Sequence, residues 1–576
     1  MDNLVTPGSW VVLRLPSDQT KVLQIAKTNT ISLGKIGTFA SNRLLFRPYN
    51  LTYELLDRKG GDKDSDLRIV PASELHEDIL VEEAAALLPE NAGPSEIVAG
   101  DGVEFQLLGE NGEVIMRSNR ETIDDSARQT LTMEEIETLK KEGTSAGKDL
   151  IAKLMLSHTG LEEKTSFSLA KYKLLKTKKY LKRFTVLPLD VAMLTQRMVE
   201  QKDASKVLEI REEMLSLIGS WSNIHFSADP IPKARSGRWL VVDETGGLLV
   251  AAMAERMGIL HQGYTPPEPK RSPQEEAGEE LKDLKIFKEL DDDINHTTDI
   301  QLATSNTLTM VHTNAQPNLS LLSYFNYHPN SPTDRSSREH PLAQRLHTLS
   351  WLQLVSPSQD TTYANPPSPL TSEELQSMKS GKRGTYYRKQ RRYRKIKQIV
   401  DTTHAGGFDG LAVAASMDPI SILRHLVPLL RGGASIAVYS STIESLVKLA
   451  DLYSTSRRTA FIQSPPAELQ GLSSEETARW QGNEDFPLNP TLLLNVSVQS
   501  ARVNEWQVLP GRTHPLMTAR GGAEGYLLTG VRVFPAEGKV EARGKFLKRK
   551  GGREYSCWTT DSGAEGQERE VAYEME

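Results

Sequence analysis

Over the first 117 residues, apolar and polar side chains alternate in short runs: Ser9 to Leu15, Lys21 to Ile25, Thr28 to Leu33, Leu67 to Val70 and Val103 to Leu108. Turn residues such as Gly34, Gly37 and Asn111-Gly112 separate them. A period of two predicts half-buried strands, and short strands joined by tight turns predict a small barrel or sandwich over residues 1–118. The pattern changes between Asn119 and Phe184. Thr132-Met-Glu-Glu135 is a helix-start signature, and the Ile136, Leu139 and Leu150, Leu154 spacings suit short amphipathic helices, so residues 119–190 read as a helical connector.

From Arg238 onward, strand and helix signals alternate, as in a parallel sheet covered by helices. The strands expected are Arg238 to Asp243, Thr307 to Thr313, Gly410 to Ala415 and Ser435 to Tyr439, closed by an antiparallel pair, Thr491 to Val498 with Tyr526 to Val533. Helices are expected over Gly247 to Met257, Ile420 to Leu430 and Ile443 to Leu452. The fold class is α/β, with the N-terminal small β-barrel followed by a Rossmann-like domain over residues 191–550. Residues 265–293 and 329–398 are rich in Pro, Ser, Gln and charge, and are expected to be mobile insertions. Residues 551–576 read as a flexible tail.

Composition narrows the chemistry. The chain has 576 residues and a net charge of −6, so contact with nucleic acid must come from local clustering of cations. A single cysteine, Cys557, excludes an intramolecular disulfide and any multi-cysteine metal site. The first residues have no basic and apolar leader, and no apolar run approaches the roughly 18 residues of a membrane helix. A soluble protein of the cytoplasm or nucleus is expected.

Two basic clusters stand out. Lys164 to Arg183 holds eight Lys or Arg and no acid, interleaved with Phe167, Tyr172 and Tyr180. At helical spacing Lys171, Lys178 and Lys182 share one face, and Lys176, Lys179 and Arg183 another. Either this is a solvated basic helix with Tyr172 and Leu175 on the core, or it tracks phosphates with aromatics available for stacking. Lys382 to Lys397 holds nine Lys or Arg with Tyr386, Tyr387 and Tyr393, and reads as a localisation signal or a loose RNA contact. Gly143-Thr-Ser-Ala-Gly-Lys148 mimics a nucleophile elbow or a P-loop, but it follows a charged helix instead of a buried strand, so it reads as a turn. Lys148 at a helix start could still touch a phosphate. The histidines, among them His158, His225, His312, His404, His425 and His514, have no metal-ligand spacing.

Arg238-Trp-Leu-Val-Val-Asp-Glu-Thr-Gly-Gly-Leu-Leu249 is built like the first strand and turn of a methyltransferase domain. Such a turn needs three alternately spaced glycines so that the backbone can approach the S-adenosylmethionine carboxylate. Only Gly247 is in register; Thr245 and Leu249 stand at the other two positions, where their Cβ atoms should crowd the cofactor. The second strand leads to Asn314, with no carboxylate for the ribose, and the fourth places Ala414 where a polar residue should handle the base. Three chemical positions are blank on an intact apolar frame.

These strings, together with Asn119-Arg-Glu-Thr-Ile-Asp-Asp125, Thr165-Ser-Phe167 leading into Lys171-Tyr-Lys173, Lys178-Lys-Tyr-Leu-Lys-Arg183 and Trp506 to Leu516 with Gly525-Tyr, resemble the non-catalytic subunit of eukaryotic tRNA (adenine-58-N1)-methyltransferase. The resemblance implies a degenerate Rossmann-like methyltransferase domain that binds no cofactor. It also implies a paralogous catalytic partner carrying S-adenosylmethionine, a heterotetramer of two copies each, tRNA as the bound substrate, no membrane, and a nuclear location. In the catalytic paralogue an aspartate assists attack by adenine N1; Ala414 falls at that place here. The RNA-contact residues implied are Asn119, Arg120, Lys148, Lys153, Lys164, Thr165, Ser166, Phe167, Lys171, Tyr172, Lys173, Lys176, Lys178, Lys179, Tyr180, Lys182, Arg183, Arg512 and His514. The alternative is a self-sufficient S-adenosylmethionine-dependent RNA methyltransferase with an atypical cofactor loop.

Overall fold

The computed structural model describes residues 4–17, 19–56, 64–75, 107–108, 114–116, 131–132, 134–136, 148–157, 172–173, 175–177, 179–226, 237–261, 306–329, 340–503, 506–509, 512–515, 525–534, 556–559 and 569–572. Residues up to Val533 form one unit and Phe534–Glu576 a second. In the second unit, Ser556–Thr559 and Arg569–Ala572 pair antiparallel, so the segment expected to be a frayed tail contains a strand pair.

The N-terminal strands are β1 (Trp10–Arg14), β2 (Thr20–Gln24), β3 (Thr30–Ser32), β4 (Thr38–Ala40), β5 (Thr52–Leu55), β6 (Leu67–Ile69), β7 (Leu107–Leu108) and β8 (Val114–Met116). A first helix, α1 (Lys148–Leu156), precedes β9 (Arg183–Pro188). Five of these strands make a sheet in the order β2-β1-β9-β5-β6, while β3-β4 and β7-β8 pair separately. Among the described residues no closed barrel forms. Alternation along the strands gives this sheet two apolar faces. Val11, Leu13, Phe184 and Val186 turn to a core shared with Phe39, Leu44, Tyr53 and Leu55, whereas Trp10, Val12 and Leu187 turn to the core of the following domain.

The central place of β9 corrects the reading of the connector. The basic run does not continue as helix to Arg183. Helix ends at Tyr180, and Arg183 opens a buried strand between β1 and β5. Its guanidinium donates to Glu54 at 3.0 Å and Glu74 at 2.7 Å, and Arg68 binds the same two carboxylates. Only 3% of Arg183 is exposed, so it is removed from the RNA-contact set: a charge this deep is retained for its partners.

The second domain begins with α2 (Val191–Gln201), capped by Asp190 accepting from Met193 N at 2.7 Å, and α3 (Glu212–Trp221). It continues through β10 (Arg238–Asp243), α4 (Leu248–Met257), β11 (Thr307–His312), β12 (Leu346–Ser350), α5 (Ser380–His404), β13 (Phe408–Ala414), α6 (Pro419–Leu426), β14 (Leu430–Ser440), α7 (Glu444–Leu452), β15 (Leu493–Gln499), β16 (Trp506–Leu509), β17 (Arg512–Pro515) and β18 (Tyr526–Arg532). The sheet order is β12-β11-β10-β13-β14-β18-β15, parallel through β14, with β18 antiparallel to both its neighbours. This is a doubly wound Rossmann-like sheet. Its order reverses between β10 and β13, and each face is covered by a separate apolar core. Gly410 is required by packing: a Cβ there would sit 2.7 Å from the Trp239 ring and 2.9 Å from Ser222 O, which accepts from the Trp239 indole.

Residues 329–398 are not the mobile insertion expected. From His340 onward the chain is folded: it supplies the edge strand β12 and the 25-residue helix α5. The polar composition misled because α5 buries only its end, through Ile399, Val400 and Thr403, while Arg238 at the start of β10 donates to Thr402 O and Gly406 O. The other insertion, 265–293, lies outside the described residues.

Replacing Arg183 by Ala removes one of the two guanidinium groups, Arg183 and Arg68, that hold the buried Glu54, and is expected to cost up to about 3 kcal/mol. Thermal unfolding should show a clear drop in the midpoint, with partial recovery on combining Arg183→Met with Glu54→Leu. An exposed RNA contact would leave the midpoint unchanged.

Candidate functional site

The carboxyl end of β10 lies at the point of order reversal, the usual place for a ligand in such sheets. Here the polar groups at that place bind one another. Asp243, 3% exposed, accepts from Thr245 N at 2.7 Å and Thr245 Oγ1 at 2.6 Å through one oxygen, and from Val250 N at 2.9 Å through the other. Thr245 Oγ1 in turn accepts from Leu249 N at 3.1 Å. Burial pushes the Asp243 carboxyl above its ordinary pKa, and these donors pull it back only in part. The amides at the start of α4, which could meet an outside anion, are thus used internally.

The space over the turn is filled, though not by the side chains the sequence suggested. Thr245 and Leu249 are fully buried and face inward. The filling comes from the short helix after β11, Ser320–Phe325, with Leu319 in front of it. Leu321 N donates to Gly246 O at 3.0 Å. A Cβ on Gly247, whose φ is +92°, would lie 3.2 Å from Leu319 Cα and 3.4 Å from Leu322 Cγ. A cofactor on this turn would need the room these residues occupy, so the residues present do not fit it. No sequence motif signals the cover; the apolar run Leu319-Ser-Leu-Leu322 beside a strand end was its only trace.

The neighbouring strand ends are also joined. Glu244 N donates to Ala414 O at 2.9 Å, and the Glu244 carboxylate accepts from Ser416 N at 2.8 Å and Ser416 Oγ at 2.5 Å. Ala414 is fully buried, and Asn314 is exposed beyond His312. A cavity of about 300 Å³ remains one strand further along, between the ends of β13 and β14, lined by hydroxyls including Ser416, Tyr439, Ser440 and Thr442.

The cover is clamped from behind. His340 Nε2 donates to Phe325 O at 3.1 Å and its Nδ1 accepts from Leu342 N at 3.1 Å, which fixes the neutral tautomer. His261 meets Phe325 edge-on at 5.7 Å and binds Glu255 at 2.9 Å. The N-terminal sheet presses on the cover as well: Trp10 packs edge-on to Tyr324 at 5.0 Å, and Gln24 donates to Asn326 at 3.3 Å.

Of the residues expected to touch RNA, Asn119, Arg120, Lys164, Thr165, Ser166, Phe167, Lys171 and Lys178 lie outside the described residues. The backbone places Lys148 at the start of α1, and Arg512 and His514 on β17 opposite Leu509 and Gln507. Lys153 is exposed on α1. Tyr172–Lys173, Leu175–Thr177 and Lys179–Tyr180 are helical. Lys176 Nζ stands 4.7 Å over the Tyr172 ring and Lys179 Nζ 5.2 Å over Tyr180. Tyr180 also packs on Ile136, Leu150 and Leu154, which joins this segment to α1 and leaves that ring poorly placed as a stacking platform. Lys182 is half-buried just before β9. Among the described residues no helix is long and apolar enough to cross a membrane, and no cluster of metal ligands occurs.

Residues 4–379 match the Gcd10p family. The protein of Aspergillus oryzae named tRNA (adenine(58)-N(1))-methyltransferase non-catalytic subunit trm6 is 45% identical over 578 aligned residues, 96% of each chain. Its namesake in Aspergillus fumigatus is 44% identical over 572 residues, and that of Schizosaccharomyces pombe 27% over 557, again over 96% of each chain. Among solved structures, the tRNA (m1A58) methyltransferase TrmI from Aquifex aeolicus aligns with a TM-score of 0.33 at 9% identity, over 92% of this chain and 99% of that one.

Burial holds His340 and His347 at a pKa of about 4, below the ordinary 6.5. The unfolded chain therefore takes up these protons first, and stability is lost as pH falls from about 6.5 towards 4, by up to about 3 kcal/mol for His340. Thermal unfolding at pH 7.5, 6 and 5 should show a steeper decline for the natural chain than for His340→Gln. Equal slopes would exclude His340 as the acid-sensitive clamp.

Proposed function

The chain belongs to the Gcd10p family, and from that premise we propose that it is the non-catalytic, tRNA-binding subunit of the methyltransferase that makes N1-methyladenosine at position 58 of tRNA. The observation that carries this is the end-to-end match to proteins of that name, 96% of each chain at 45% identity. In this reading a paralogous catalytic subunit holds S-adenosylmethionine and performs the transfer, in a heterotetramer of two copies each within the nucleus. This chain holds the tRNA so that the T-loop adenosine can leave its stack and enter the partner's pocket, a contribution of positioning.

That this chain binds no S-adenosylmethionine is supported by the inward use of the Asp243, Thr245 and Leu249 groups and by the Leu319–Leu322 cover. RNA binding by the connector is supported by the cations at Lys153, Lys173, Lys176, Lys179 and Lys182, which lie at accessible or half-accessible positions. Their phosphate contacts would release counterions, so affinity should fall steeply with salt.

Calorimetry on the isolated chain should show no heat with S-adenosylmethionine, whereas the chain co-expressed with its catalytic paralogue should methylate tRNA and weigh as two copies of each. Methylation by the isolated chain would favour the self-sufficient enzyme instead. Replacing Lys176, Lys178, Lys179 and Lys182 by Glu should weaken tRNA binding by the pair at least about tenfold. Unchanged affinity would refute the connector as the grip.

A further inference from the structure

We propose that α5 is a second RNA-binding surface, a cationic rod that engages the phosphate backbone of the bound tRNA on an element separate from the connector; this rests on the tRNA-binding reading above. The run from Lys382 to Lys397 lies beyond residue 379, where the match to the family model ends, so that match does not account for it.

The helix is chemically odd. It carries nine Lys or Arg between residues 382 and 397, and no Asp or Glu occurs from residue 375 to residue 400. Cations three and four apart, such as Arg388 with Arg391 and Arg392, or Arg391 with Lys395, repel one another along its surface. A helix this polar has little reason to form alone. It is held at one end by the buried Ile399, Val400 and Thr403, and near the other by Tyr386, whose hydroxyl donates to Ser368 O and accepts from Leu370 N. Eight of the nine cations are exposed, Arg383 being half-buried. The fold therefore pays to display positive charge on a rigid support.

The distribution of the charge favours RNA over an acidic protein. At 100° per residue, Arg383, Arg394, Arg391, Lys395, Arg388 and Arg392 cover roughly half the circumference, while Lys382, Lys389 and Lys397 fall on the other half among Tyr386, Tyr393 and Ile396. The run is about 22 Å long. A half-cylinder of charge can meet two rows of phosphates at once, as a groove presents them, whereas an extended acidic peptide would occupy a single stripe. Five of the nine are Arg, whose planar guanidinium grips phosphate with two parallel hydrogen bonds.

The test uses the chain in complex with its catalytic partner, with tRNA binding followed by fluorescence anisotropy over a range of salt. Arg388, Arg391, Arg392 and Lys395 lie on one face and are replaced together by Gln or by Glu. Both variants should lose at least about tenfold in affinity, and the slope of log affinity against log salt should become shallower by about 3, while Lys at the same four positions restores the slope. Gln removes repulsion, so the helix should persist; circular dichroism and the mass of the complex check this. Natural affinity and slope in an intact complex would overturn the proposal. So would displacement of tRNA from the natural protein by polyglutamate, at equal ionic strength, as effective as displacement by unlabelled tRNA. The Lys176, Lys178, Lys179 and Lys182 variant separates the two ideas: if it alone weakens binding, α5 is excluded and the tRNA-binding reading stands; if neither set does, that reading falls.

Discussion

A carboxylate sealed from water must find its donors within the protein, and most of what distinguishes this sheet follows from how Asp243 finds them. Its two oxygens take the Thr245 amide and hydroxyl and the Val250 amide, and the same hydroxyl serves Leu249 N. The first turn of α4 is therefore satisfied from inside. A helix start that has already met its acceptors offers little to an external anion, and once the turn needs no ligand, apolar residues can lie on it. Leu319 and Leu322 do so, against a glycine whose left-handed backbone and missing Cβ let them come close.

The cover is also where the two folded parts of the first unit meet. Tyr324 and Asn326 receive Trp10 and Gln24 from the N-terminal sheet, while Phe325 is held by His340 and His261 from the other side. A segment that in a ligand-binding sheet would have to yield is instead fixed by neighbours on both sides. What the chain has given up in chemistry it has turned into an internal joint, and this suits a protein whose proposed task is to hold a large substrate steady.

Much of this was legible in the sequence, and the omissions have physical causes. Strands β10, β11, β13, β14 and β18 announced themselves as largely apolar runs, because interior strands buried on both faces carry few polar residues to blur them. Edge strand β12 did not, since Leu346-His-Thr-Leu-Ser350 is half polar and embedded in polar sequence. Helix α5 was missed for a similar reason: it is tied down by few buried side chains, and composition registers the many that are not. The blank positions at Thr245, Leu249, Asn314 and Ala414 were visible as residue types. The residues that fill the turn were not, because they come from some 70 positions further along the chain and only the fold brings them there. Arg183 looked like one more cation of a basic helix; its partners, buried Glu54 and half-buried Glu74, lie more than a hundred residues earlier.

The place of β9 has a consequence for how the molecule is made. The hairpins β1-β2 and β5-β6 touch within their sheet only through β9, which enters between them. During synthesis both hairpins leave the ribosome with an open edge, and at roughly 5–20 residues per second they wait on the order of ten seconds for the missing strand. Until Pro188 has emerged, the two hairpins lack the strand that joins them within their sheet, and their unpaired edges invite strangers. Nascent-chain chaperones thus have a defined interval in which to act, set by the distance along the message and closed by the arrival of a single strand.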